Sequence, residues 1–154
     1  MPTDRPETLW FMNSHVTVHQ SGAAHPDGLS MMEMRVPFGD APPRHVHHDE
    51  DEVFMLMEGE IRFQLGGQER LVRAGDTLLA PKGVPHAFRV VSPEGARAFV
   101  VCRGGFERMV RQVSRPALAD APPRPAEPTP ADIAALAAAC TRQNIEILGP
   151  PLAA

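Results

Sequence analysis

Between residues 14 and 113 no apolar run lasts longer than about eight residues before glycine, proline or aspartate interrupts it, and this spacing limits the chain to short elements. The runs fall at 14–20, 29–36, 52–57, 60–65, 69–73, 76–80, 86–91, 97–103 and 106–113. Each has the length of a strand. With 17 prolines, 12 glycines, one tryptophan and no tyrosine, the composition also disfavours long helices, and the expected class is all-β. That many strands in one domain imply a closed or two-layered sheet, and Gly66-Gly67 between "IRFQL" and "QERLV" marks a tight hairpin. Two runs, "VFMLM" and "AFVVC", do not alternate, so both of their faces are expected to be covered. The cover on the outer side is expected to come from a homodimer.

The character of the chain changes after residue 114. Prolines at 116, 122, 123, 125, 128 and 130 predict an extended, semi-rigid connector over 115–130. Thr129 is placed to cap a helix with Pro130 at its first position, and Ile133, Leu136, Ala137 and Cys140 follow at helical spacing. The expected organisation is a barrel over 9–114, the connector over 115–130, and a C-terminal helix and tail over 131–154. At 154 residues and 43% hydrophobic content the chain suits one domain with its own core. A net charge of −4 without a clustered basic face argues against nucleic-acid and membrane partners. No apolar run reaches signal-peptide or membrane-span length, so a cytoplasmic location is expected. Cys102 and Cys140 form no disulfide framework and read as reduced packing residues.

The densest chemistry lies in "GDAPPRHVHHDEDEVFMLMEG", residues 39–59. On an extended strand His45 and His47 project from one face and His48 from the other, which makes a chelating pair. Parity alone does not choose among Asp49, Glu50, Asp51 and Glu52. Glu52 is favoured because it opens an apolar strand on the face it shares with Phe54 and Leu56. A second segment, "GDTLLAPKGVPH", ends in His86. His15 and His19, on the polar face of their strand, are expected to face solvent, and His25 lies in a turn.

Together the two segments resemble the cupin family. Its first motif is matched by Gly39, His45, His47, Glu52 and Gly59, and its second by Gly75, Pro81, Gly83 and His86. Where that second motif ends in asparagine this chain has Val90, a position that is not a metal ligand in the family. The resemblance is to the small single-domain, quercetin-dioxygenase-like cupins. It implies a double-stranded β-helix, or jelly-roll barrel, with His45, His47, Glu52 and His86 around one divalent transition metal inside.

Three imidazoles and one carboxylate leave such an ion a net charge near +1 and, in an octahedron, two adjacent open positions. Neither cysteine is near the motifs, so a closed structural zinc site is not expected. Resemblance favours Fe(II), while Mn, Ni, Co, Cu and Zn accept the same donors. The inward face is expected to present Met32, Met34, Phe54, Leu56, Phe63 and Phe88 as an apolar substrate pocket. The reading is a metal-dependent dioxygenase of a small aromatic or enolisable substrate, with dioxygen as co-substrate and Glu52 as ligand and proton acceptor. A non-redox cyclase, isomerase or lyase, and a non-catalytic small-molecule binder, are the alternatives.

Overall fold

The computed structural model describes residues 6–154. Ten strands come first: β1 (Glu7–Phe11), β2 (Ser14–Gln20), β3 (Leu29–Val36), β4 (Pro43–His47), β5 (Glu52–Glu58), β6 (Glu60–Leu65), β7 (Gln68–Arg73), β8 (Thr77–Ala80), β9 (His86–Val90) and β10 (Ala96–Arg103). Helix α1 (Gly104–Val113), the short β11 (Arg115–Pro116), helix α2 (Pro130–Arg142) and β12 (Ile145–Pro151) complete the chain. The strands form two antiparallel sheets, in the orders β11-β1-β2-β3-β10-β5-β8 and β12-β4-β9-β6-β7. Strand alternation sends Val16, Met32, Leu56 and Val100 of the first sheet toward Ile61, Phe63, Val72 and Val90 of the second, and these side chains make one core. The all-β, double-layered jelly roll expected from the sequence is the fold.

The segment expected as a strand at 106–113 is helix α1. Phe106, Met109 and Val110 are buried with Val113 packed behind them, which is helical spacing rather than alternation. Glu107 on the same helix is fully buried. Its carboxylate accepts from Ser21 Oγ (2.6 Å), the Gly22 amide (3.0 Å), Ser30 Oγ (2.5 Å) and Arg111 Nε (2.8 Å). These bonds hold the carboxyl below its usual range although burial by itself would raise it, and they tie α1 to the β2–β3 loop.

The connector runs along the outside of the first sheet. Trp10 Nε1 donates to Ala121 O (2.8 Å) and an Arg35 guanidinium nitrogen to Asp120 O (2.9 Å). It covers His15, which is 1% exposed and has neither ring nitrogen hydrogen-bonded, whereas the sequence placed this ring in solvent. Burial, with Arg35 adding to it, lowers the His15 pKa and keeps the ring neutral. His19 does lie at the surface, within 3.1 Å of Glu33 Oε2.

Helix α2 begins with a full capping box: the Thr129 hydroxyl accepts from the Asp132 amide, and the Asp132 carboxylate accepts from the Thr129 amide. Its inward face is Leu136, Ala139 and Cys140, while Ile133 is 56% exposed. The tail beyond it is a strand and not an appendage: β12 pairs with β4, Ile145 opposite His47 and Ile147 opposite His45. Both cysteines are free and buried. Among the described residues no helix is long and apolar enough to cross a membrane.

Candidate metal centre

Adjacent strands of the second sheet carry three of the four expected ligands, because β4 and β9 pair with His45 directly opposite His86. Period 2 along β4 brings His47 to the same face. Glu52 reaches across from the first sheet, where it opens β5. Gly83 makes the approach of β9 possible: its φ of +79° suits a residue without Cβ, and its amide donates to His47 O at 2.8 Å, locking the turn before His86 to the ligand strand.

One ligand atom from each of His45, His47, Glu52 and His86 lies within 4.8 Å of all the others. His86 Nε2 is 3.2 Å and His47 Nε2 3.4 Å from Glu52 Oε2. His47, Glu52 and His86 are each 2% exposed, with His45 partly buried.

Contacts behind the rings settle which nitrogen faces inward. His45 Nδ1 meets Pro43 O at 2.7 Å, His86 Nδ1 meets Val84 O at 3.3 Å, and His47 Nδ1 meets Glu50 Oε1 at 3.2 Å. All three partners are acceptors only, so a ring that donates its Nδ1 proton to them turns an Nε2 lone pair to the centre. Lone pairs and a carboxylate oxygen packed this closely repel unless a cation lies among them. His47 Nε2 is buried without a hydrogen-bond partner, as a donor reserved for such a cation would be. The charges agree. Burial would raise Glu52, but His47 and then His86 outweigh it and hold the carboxyl down to about 2. Burial, and then His86, lowers His45 to about 4. Burial also opposes protonation of His47, yet Glu52 and then Glu50 raise its pKa. The set suits one divalent ion.

A cavity of about 80 Å³ opens onto His45, Glu52 and His86. Of the six expected pocket residues, Met34, Phe54 and Phe88 line it. Met32, Leu56 and Phe63 do not. They are at most 1% exposed and fill the barrel core, Phe63 backing Phe54 with ring centres 5.0 Å apart. Phe106 and Met109 of α1, Leu136 and Cys140 of α2, and Ile145 and Ile147 of β12 add to the wall, with Phe11, Pro42 and Pro43. The helical period of 106–113 was the available signal for the first pair; the tail residues carried none, since their arrival depends on long-range pairing. A separate polar cleft of about 460 Å³ lies beyond Glu50, lined by Asp27, Asp49, Lys82, Arg103, Arg108 and Arg142 among others.

Comparison with known proteins points the same way. The family model for the Cupin domain matches residues 32–102, a stretch that contains all four cluster residues. Quercetin 2,3-dioxygenase of Bacillus subtilis (strain 168) is 28% identical over 110 residues, 71% of this chain and 33% of that protein. The uncharacterized protein YdbB of the same organism is 44% identical over 46 residues, 29% of this chain and 41% of that one. The chain thus spans well under half the length of these curated relatives. Among solved structures, oxalate oxidase in complex with glycolate is similar with a TM-score of 0.50 and 28% identity, covering 60% of this chain and 51% of that one. KdgF from Halomonas sp. is similar in fold, with a TM-score of 0.51 at 19% identity, over 58% of this chain and 78% of that one. With the barrel, the four converging side chains and the matched stretch coinciding, the chain belongs to the cupin superfamily.

Proposed function

We propose that the chain is a metal-dependent dioxygenase acting on a compact aromatic or enolisable substrate. One observation carries the reading: the cavity at the cluster is lined by apolar side chains, and apart from the Cys140 thiol its polar side chains are the ligands His45, Glu52 and His86. Among the described residues no lysine or arginine lines it. A substrate with a second charged group would bury that group unpaired, at a cost of several kcal/mol. A substrate with one ionisable hydroxyl and an apolar body satisfies both ends of the cavity.

A divalent first-row ion held by these residues supplies a Lewis acid with net charge near +1 and, when redox-active, reactivity toward dioxygen. The protein's own contributions are more specific. His45 and His86 present Nε2 at the cavity floor, with Nδ1 anchored on main-chain carbonyls. Among the described residues Glu52 is the only carboxylate on the cavity wall and so the residue placed to take the substrate's proton; His47 and His86 hold it ionised against its burial. Phe54, Phe88 and Phe106 exclude water and flank an aromatic or planar enol body. Fe(II) is the first choice of ion.

The test begins with metal analysis of protein purified without added metal, followed by an oxygen-consumption screen over catechols, β-diketones and flavonols. Turnover is expected to consume oxygen stoichiometrically, to stop under anaerobic conditions, and to be abolished or strongly reduced with Zn(II), which has no accessible redox change. Conversion at full rate without oxygen and with zinc bound would replace this reading by a Lewis-acid cyclase, isomerase or lyase. Binding without conversion would leave a small-molecule binder.

A further inference from the structure

The ligand His47 differs from its two neighbours in what holds its ring. His45 and His86 each rest on a carbonyl two residues earlier in their own segments, Pro43 O and Val84 O, which no side-chain substitution removes. The partner of His47 is a side chain, Glu50 Oε1, at 3.2 Å. Glu50 stands in the loop between β4 and β5 and is only 3% exposed. Among the described residues no lysine or arginine pairs with it, although Lys82, Arg103, Arg108 and Arg142 line the cleft that it borders. Its second oxygen, Oε2, is buried without any hydrogen-bond partner. A carboxylate buried with one weakly basic neighbour is a liability for folding alone, which points to another use.

Local packing is shaped around this carboxylate. A Cβ on Gly105, at the start of α1, would come within 3.2 Å of Glu50 Oε1 and 3.5 Å of its carboxyl carbon, so a side chain there would crowd it. The hydrogen bond also has a definite chemical effect. Because a carboxylate only accepts, it keeps the proton on His47 Nδ1 and leaves Nε2, which has no hydrogen-bond partner, facing Glu52 at 3.4 Å. It also places negative charge behind the ring, which makes Nε2 a stronger donor to a cation. Glu50 itself lies outside the four-residue cluster.

We infer that Glu50 is a positioning residue: it fixes the tautomer and orientation of His47 and thereby raises the affinity of the centre for its metal ion. The inference rests on the metal-centre reading above.

The experiment measures the affinity of the full-length protein for Co(II) and Zn(II) by competition with a chelator. Glu50→Ala and Glu50→Gln are compared with the unsubstituted chain, and the thermal unfolding of each metal-free protein is recorded alongside. Glu50→Ala is expected to bind about 10- to 100-fold more weakly. Glu50→Gln, which keeps an acceptor oxygen but loses the charge, is expected to fall between, with the Co(II) absorption bands shifted in both variants. Should Glu50→Ala fail to fold, Glu50→Gln carries the comparison. Unchanged affinity and spectra in folded variants, whether or not their melting temperature drops, would overturn the inference and leave Glu50 a packing residue. An unsubstituted chain that takes up no ion would overturn the metal centre itself, and this inference with it.

Discussion

At the scale of single residues, His45 and His47 differ in how readily they take a proton. Burial and the neighbouring His86 push His45 down to about 4, so this ring stays neutral through mild acid. His47 goes the other way, because Glu52 and Glu50 outweigh its burial and raise it above the ordinary value of 6.5. A proton on Nε2 and a metal ion exclude one another. As pH falls, protonation of His47 therefore competes before that of His45, which joins only near 4. Metal affinity is expected to drop about tenfold per pH unit below the His47 pKa. Calorimetry in buffers of different ionisation enthalpy should then find protons released as the ion binds, more of them as the pH is lowered. Affinity that stays level from pH 8 to 5 would argue against imidazole ligation.

At the scale of elements, the ligand strand β4 lies between β9 and β12, so one of its two neighbours comes from the far end of the chain. The junction is reinforced beyond the ladder: the His48 amide donates to Asn144 O (3.1 Å), Asn144 Nδ2 to Asp49 Oδ1 (2.9 Å), and His48 Nε2 lies 2.9 Å from Glu146 Oε2. Removing residues 115–154 would strip an edge from β4, take Leu136, Cys140, Ile145 and Ile147 from the cavity wall, and expose Phe106 and Met109. The truncated chain is expected to aggregate or change its oligomeric state, and any soluble fraction to bind metal more weakly. Light scattering and metal titration check this. A monodisperse truncation with unchanged affinity would show that α2 and β12 are dispensable to the centre.

At the scale of the molecule, the outer face of the first sheet carries an apolar patch beyond the connector, uncovered among the described residues. Met31, Val101, Val53 and Leu79 lie side by side across β3, β10, β5 and β8, with Phe99 and Met55 paired in the next row. Met55 is 46% and Leu79 50% exposed. Charged pairs rim the patch, Arg97 with Glu33 and Glu58 on one side and Arg103 with Asp27 on the other. An apolar centre with a polar rim has the anatomy of an association surface, and we propose that a second copy covers it in a two-fold dimer. Light scattering is expected to give twice the chain mass of 16.8 kDa, and Met55→Glu combined with Leu79→Glu to give the monomer with its metal affinity kept. A monomeric unsubstituted chain at tens of micromolar would leave the face without this partner.

What the sequence by itself determined is what local chemistry dictates. Period 2 placed His45 and His47 on one face. Thr129 and Pro130 announced the start of α2, and glycine and proline punctuation set the strand lengths and the all-β class. Glu52 stood out from its three acidic neighbours because its parity with Phe54 and Leu56 turns it inward, and the structure buries all three. Tertiary structure alone decided whatever depends on partners distant in sequence. Where the 106–113 helix docks depends on Glu107, which finds its hydrogen-bond partners on the β2–β3 segment, more than seventy residues earlier. Met32, Leu56 and Phe63 share the inward parity of Met34, Phe54 and Phe88, but only the second set reaches the cavity, because depth along the barrel is set by how the sheets are staggered and alternation does not encode it. The same holds for the roof of the site. Nothing local to Ile145 or Ile147 foretold that they would pair with the histidines of β4, since a strand's neighbour is chosen by the whole sheet that it completes.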